Sequence, residues 1–264
     1  MTCPPADDLG GDDDANEPSG VSDFGISRLG TAIGGPRRPH LAGSDGLAES
    51  EASRFEVAAA LRRITAAVVG RPLPEPELAE AAAFLRALAE RLEQQAGPGR
   101  RPRSHPDPGG PPQDFFPTSP VIGFANPVAP PVVVETADNG LRGSALFDYQ
   151  YEGPPTCVHG GVIALVFDEL LGAANIAAGC PGMTGTLTVR YRKPTPLHTK
   201  LRVEARCINR QGRKISTWGG MYHGEDLLAE AEGVFIELAP ERFLQIMGVD
   251  VDGPADGRGP GPGH

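Results

Sequence analysis

VHGGVIALVFDELLGAANIAAG, residues Val158–Gly179, is the stretch that decides the fold. Val162, Ile163, Leu165, Val166, Phe167, Leu170 and Leu171 make it apolar nearly all round. A helix of that kind must be buried, so the remaining elements have to wrap it. Two acids in its middle, Asp168 and Glu169, are costly inside an oily segment and need a reason. The pair Gly160-Gly161 at its start leaves backbone N–H groups open to a ligand. A carboxylate and an anion-binding helix start, so close in sequence, suggest acyl chemistry.

Moving outward, the flanks read as strands. After the helix, which should end near Gly179 and Pro181, TGTLTVRYRK places Leu187, Val189 and Tyr191 in alternation with Thr188, Arg190 and Arg192. KLRVEARCIN alternates Leu201, Val203, Ala205 and Cys207 with Arg202, Glu204 and Arg206. KISTWGGMYH and LLAEAEGVFIEL follow, joined by the turn Gly224-Glu225-Asp226. Period-2 alternation with one oily face marks an antiparallel sheet covered on one side. Before the helix, strands are expected at about 131–137 and 141–150, split by the turn signal Asn139-Gly140. The expected fold class is α+β: one long central helix, from about 160 to 178, wrapped by a curved antiparallel sheet.

Further out, the composition divides the chain. Residues 1–48 are an acidic Gly/Asp/Ser/Pro tail expected to be disordered. Residues 49–96 hold two helical patterns, SEASRFEVAAALRRITAAVV and EPELAEAAAFLRALAERLEQQA, punctuated by Gly70, Pro72, Pro74 and Pro76. They predict a helical hairpin that packs on the main domain or on a partner chain. Residues 97–114 form a Pro/Gly linker, 115–240 the main domain and 241–264 a flexible tail.

The net charge of −10 argues against nucleic acid as a partner. The N-terminus lacks the apolar core of a secretory signal, and no unbroken run of about 18 apolar residues predicts a membrane span. A cytoplasmic protein is the default expectation. Cys3, Cys157, Cys180 and Cys207 show no CxxC spacing, so neither a zinc site nor a disulfide framework is expected. Reduced, inert thiols are the simpler reading, Cys157 included. No metal is expected.

The geometry of one helix constrains the chemistry. Gly160 and Asp168 are eight residues apart, about 12 Å along the axis, too far for one small reacting group to touch both. Two antiparallel copies of the helix, related by a two-fold axis, bring the start of each near the middle of the other. A homo-oligomer with shared sites therefore follows from the functional reading. Amides at the helix start, from Gly160 and in second place Gly161, would polarise a thioester carbonyl. Asp168 would act as general base on water or as nucleophile, and the residues leave both routes open. A thiol with a pKa of about 8.5 leaves readily as thiolate, so no dedicated acid is required. Glu169, about 100° further round the helix, reads as facing solvent or another subunit.

Between Thr184 and Lys214 lie Arg190, Arg192, Lys193, Lys200, Arg202, Arg206, Arg210 and Arg213, with only Glu204 among them as opposing charge. The strip reads either as a phosphate-binding surface suited to coenzyme A or as a solvated outer sheet face.

These residues resemble a known family. HGGVIALVFDELLG, then MTGTLTVRYRKPTPL, then a sheet ending AEAEGVFIEL, are similar to the hotdog-fold acyl-CoA thioesterases of the PaaI-like type, over roughly residues 115–240. The HGG turn, the acid nine residues after the histidine, the Thr sixteen residues after the acid and the YxxPxPL strand end recur in order. The resemblance implies a dimer or dimer of dimers with sites between subunits, an acyl-CoA substrate, and no cofactor beyond the coenzyme A of that substrate. It implies Asp168 as the catalytic acid and Gly160 as the amide on the thioester oxygen. It gives His159 an orienting role, Thr184 a part in placing the water, and Arg190, Arg192 and Lys214 contacts to coenzyme A; Gly161 is a substrate-binding candidate from its place at the helix start alone. Some relatives carry an Asn six residues before the motif histidine; here that position is Gly153. Two rival readings are a hotdog enoyl-CoA hydratase or dehydratase, which the HGG arrangement argues against, and a catalytically silent acyl-CoA-binding module.

Overall fold

A computed structural model describes residues 45–98, 116–137, 140–239 and 242. Most of the expected linker, the C-terminal tail and residues 1–44 lie outside them. Two long helices come first, α1 (Asp45–Gly70) and α2 (Glu75–Gln95). They are followed by strands β1 (Val132–Ala137) and β2 (Gly140–Ala145), a 3-10 turn at Tyr149–Tyr151, and helix α3 (Gly160–Ala177). Strands β3 (Gly182–Tyr191), β4 (Leu201–Gln211), β5 (Lys214–His223) and β6 (Asp226–Glu237) complete the chain. The strands form one antiparallel sheet in the order β1-β2-β4-β5-β6-β3, which leaves β1 and β3 at the edges.

Helix α3 lies on the concave face of this sheet because the sheet makes room for it. Cross-strand pairing sets Leu141, Ala205, Gly219, Ala231 and Val189 in one row across β2, β4, β5, β6 and β3. The middle three are small, so the row is a furrow. Phe167 and Leu171 fill it: a Cβ on Gly219 would sit 3.3 Å from the Phe167 ring and 3.5 Å from Leu171. Phe167, Val166, Leu170 and Leu171 are fully buried against Val203, Ile215, Met221 and Phe235. By length and composition alone α3 could cross a membrane, but these side chains rest on the sheet. The β4–β5 and β5–β6 connections are two-residue turns led by Gly212 (φ 58°) and Gly224 (φ 56°), the left-handed conformation such hairpins require.

Two expectations need correction. The second strand does not run to residue 150; it ends at Ala145. Asp148 then accepts the Tyr149 N–H (2.8 Å), and the Tyr151 ring packs edge-on against Phe147 (5.9 Å), closing a 3-10 turn instead. Nor is α3 covered on every side. Leu165 is 43% exposed, and along the neighbouring edge strand Met183 and Tyr191 are 53% and 54% exposed.

Both expected helices form, though α1 begins at Asp45, inside the stretch read as tail. Glu75 and Glu77 occupy the first turn of α2, with a proline at its start, a favourable N-terminus. Helix α1 docks on the main domain. Ala58 and Ala66 are buried, and Phe55 meets Phe124 edge-on at 6.3 Å. Arg62 donates to the carbonyls of Asn126 (2.8 Å) and Phe124 (3.4 Å). Gly70 lies so close to the Tyr149 ring that no side chain would fit. Helix α2 buries none of its residues fully, and its Phe84 is 66% exposed.

Because the Phe167 ring fills the furrow, Phe167→Ala is expected to cost about 3–5 kcal/mol of unfolding free energy, read from urea denaturation. A loss below about 1 kcal/mol would mean that another contact seats the helix.

Candidate active site

The first turn of α3 is arranged so that one amide stays open. His159 is the N-cap, extended at φ −60° and ψ 131°. Its Nδ1 accepts the Gly161 N–H at 2.9 Å, and its carbonyl accepts the amides of Val162 (2.9 Å) and Ile163 (3.2 Å). Because Nδ1 is an acceptor here, a neutral ring carries its proton on Nε2. The Gly160 N–H has no acceptor among the described residues. It points from the positive end of the helix dipole. Gly161, expected as a second donor to substrate, is therefore occupied by the histidine ring.

The residues before the turn hold it in place. The His159 N–H donates to the Tyr151 carbonyl at 2.9 Å, tying the helix start to the 3-10 turn on which α1 packs. Gly153, the position where some relatives carry Asn, lies against the histidine itself. A Cβ there would come within 2.7 Å of His159 Cα, so a side chain would have to displace the turn.

Asp168, half-buried on α3, accepts a 2.8 Å hydrogen bond from the Thr184 hydroxyl at its Oδ1. That contact depends on a β-bulge. From Tyr191 back to Thr186, β3 pairs with β6 in constant register, placing Tyr191, Val189 and Leu187 opposite the buried Ala229, Ala231 and Gly233. At Gly185 the register slips by one residue, so Thr184 sits opposite Phe235. Strict alternation would have turned Thr184 to the outer face; the extra residue turns it towards the helix. Thr184 thus holds the carboxylate directly, a more specific place than the water-placing role that the resemblance implied.

Glu169, read from the sequence as facing solvent or another subunit, is not open to solvent. It is half-buried beside the Ser119 hydroxyl, whose Oγ accepts the amides of Val121 (3.0 Å) and Ile122 (3.3 Å). Burial pushes the Glu169 carboxyl above the ordinary range; the Ser119 hydroxyl opposes that shift and the neighbouring Asp168 charge adds to it. Nothing local in sequence marks this pair, which joins residues fifty positions apart.

The basic strip is not the uncompensated patch that its own segment suggests. Strand β6 supplies acids beside it: Arg190 bonds Glu232 (2.8 Å), Arg192 bonds Glu230, and Lys193 bonds Asp226 (2.6 Å). Further along, Arg202 pairs with Glu204 (2.9 Å) and Arg210 with Glu237 (2.8 Å). Arg190 and its neighbours lie on the outer face of the sheet, opposite in parity to Tyr191 and Val189. Within one protomer they are separated from Asp168 by the sheet. Lys214 is exposed at the start of β5.

The thiols offer no nucleophile. Cys157 is disulfide-bonded, which corrects the expectation of a reduced thiol. Cys180 and Cys207 face each other at 4.0 Å, and burial pushes the Cys180 thiol up to about 11. Among the described residues no group of three or more His, Cys, Asp or Glu side chains could hold a metal ion.

The chain is similar to known proteins in sequence and in fold. Residues 156–230 match a family model described as the thioesterase superfamily. Over 92 residues the chain is 38% identical to the acyl-coenzyme A thioesterase THEM4 of Xenopus laevis, covering 34% of this chain and 41% of the relative. Over 95 residues it is 36% identical to the THEM4 protein of Mus musculus, covering 35% and 41%. The chain therefore spans well under half the length of these two relatives. A crystal structure described as a thioesterase superfamily protein is 33% identical, with a TM-score of 0.63, over 70% of this chain and 90% of its own. Residues 116–239 are less than half of the chain, so that last match extends beyond the sheet domain, which the resemblance seen in sequence did not.

The Glu169 shift carries a sign that can be measured. A carboxyl whose folded pKa is raised stabilises the fold below its unfolded value and loses that contribution as pH rises towards the folded one. Relative to wild type, Glu169→Gln should gain melting temperature as pH is raised above the ordinary 4.5, with its smallest advantage in acid. A difference that stays flat between about pH 4 and about pH 8 would show that the carboxyl does not change its environment on folding.

Proposed function

Because this chain belongs to the thioesterase superfamily, we propose that it hydrolyses acyl-CoA thioesters to the free acid and coenzyme A, at sites shared between protomers of a homo-oligomer. The observation that carries the reading is the single open amide at Gly160 together with the carboxylate of Asp168 held by Thr184. The two are about 12 Å apart along one helix. The uncovered side of α3 at Leu165 and the unpaired edge of β3 give a second copy a surface to complete. In an antiparallel pair of α3 helices, Asp168 of one protomer approaches the Gly160 amide of its partner.

In this arrangement the thioester carbonyl oxygen accepts the Gly160 N–H, and negative charge grows there as the carbonyl carbon is attacked. Asp168 removes a proton from the attacking water, or attacks the carbon itself through its second oxygen. Thr184 leaves that oxygen without a donor among the described residues. The C–S bond then breaks and coenzyme A departs as thiolate. In the second route the acyl group is left on Asp168 as a mixed anhydride once the thiolate departs, and water then cleaves it to the free acid and restores the carboxylate. The reading calls on no metal or further cofactor. Arg190 and Arg192 would meet coenzyme A phosphates only by exchanging their β6 partners, which makes exposed Lys214 the simpler cation for that role.

Thiol release from a panel of acyl-CoAs tests the chemistry. Asp168→Asn should lower kcat by about a thousandfold without shifting the melting temperature. Undiminished turnover by that variant would remove Asp168 from the reaction. The shared site has its own test. Gly160→Pro deletes the open amide, and the extended His159 before it accepts a following proline at a helix start. Mixing the two inactive variants under conditions of subunit exchange should restore about a quarter of wild-type turnover, because about half the dimers are mixed and each has one intact site. No recovery after demonstrated exchange would place each site within a single chain.

A further inference from the structure

Two glycines at a helix start form a poor support for a precisely aimed amide, because glycine populates more backbone conformations than any other residue. Something outside the turn has to hold Gly160. Tyr191 does so from the last position of β3. Its hydroxyl donates to the Gly160 carbonyl at 2.8 Å. Its ring lies over the same residue, 3.4 Å from where a Gly160 Cβ would stand. The peptide between Gly160 and Gly161 is thus gripped on both edges, its C=O by the tyrosine and its N–H by His159 Nδ1. With that plane fixed on one side, and the His159 N–H fixed to Tyr151 on the other, little freedom is left at the N–H of Gly160. Register sets Tyr191 opposite Ala229 on the concave face, which is why a residue of the edge strand reaches the start of α3.

We propose that Tyr191 is a positioning residue that aims the Gly160 amide at the thioester oxygen. The inference rests on the reading of Gly160 as the oxyanion donor. Aim matters more in the transition state than in the ground state, since charge on the oxygen develops only there.

The test is Tyr191→Phe, which keeps the ring and removes the hydroxyl. Its kcat should fall about tenfold while KM for acyl-CoA stays within about twofold, with melting temperature and elution volume unchanged. Hydrogen–deuterium exchange of the amides at Gly161 and Val162 should quicken in the same variant. Wild-type kcat, or a loss that merely tracks a drop in melting temperature or oligomer size, would overturn the proposal. So would unchanged exchange, a measurement that needs no turnover. Asp168→Asn separates the two levels. If it is inactive while Tyr191→Phe is fully active, only the positioning role fails. If it is fully active, the hydrolytic reading fails and the exchange measurement still decides Tyr191.

Discussion

The structure depends on the seating of one oily helix in a sheet that thins to receive it. Ala205, Gly219 and Ala231 carry almost no side chain where Phe167 and Leu171 press in. Close approach there gives the apolar side chains their burial and sets the height of the helix above the strands. That height also determines which strand residues can reach the helix. Larger residues in the row would lift α3 and separate it from Thr184 and Tyr191 together.

Strand β3 carries both of those contacts. It is an edge strand, paired only with β6, yet it touches α3 at two places: Thr184 on Asp168 and Tyr191 on Gly160. The two groups read as the chemical centre of this member of the thioesterase superfamily are therefore held by the same element. Its outer face is engaged differently, in ion pairs with β6 that close each positive charge onto a nearby carboxylate. One strand serves the site with one face and sheet cohesion with the other, as alternation permits.

Much of this was legible in the sequence because it is written locally. The apolar run from Val162 to Leu171 identified a buried helix, and period-2 patterns with Gly-led turns located β3 to β6. What was hidden depends on partners distant in sequence. The charges near Arg190 read as an open strip because Glu230 and Glu232 come forty residues later and meet them only across strands. Glu169 read as facing solvent or another subunit because Ser119, which lies beside it, sits in a loop with no regular pattern. Gly161 looked available because its occupant is a side chain only two residues away, whose ring direction no periodicity reports. The docking of α1 was undecided for the same reason: its anchor points are main-chain carbonyls at Phe124 and Asn126, which carry no signature in residue type.

The slip at Gly185 gives strand length a meaning of its own. The inward face of Thr184 depends on that slip: if β3 at its present length paired with β6 in one unbroken register, everything upstream of Gly185 would rotate by half a pleat. The hydroxyl now beneath the helix would then look out into water, and Met183 would turn inward in its place. A deletion of Gly185 itself would leave the threonine under the helix by restoring plain alternation, so it is the straightened strand, not the shortened one, that would strip the carboxylate of its donor.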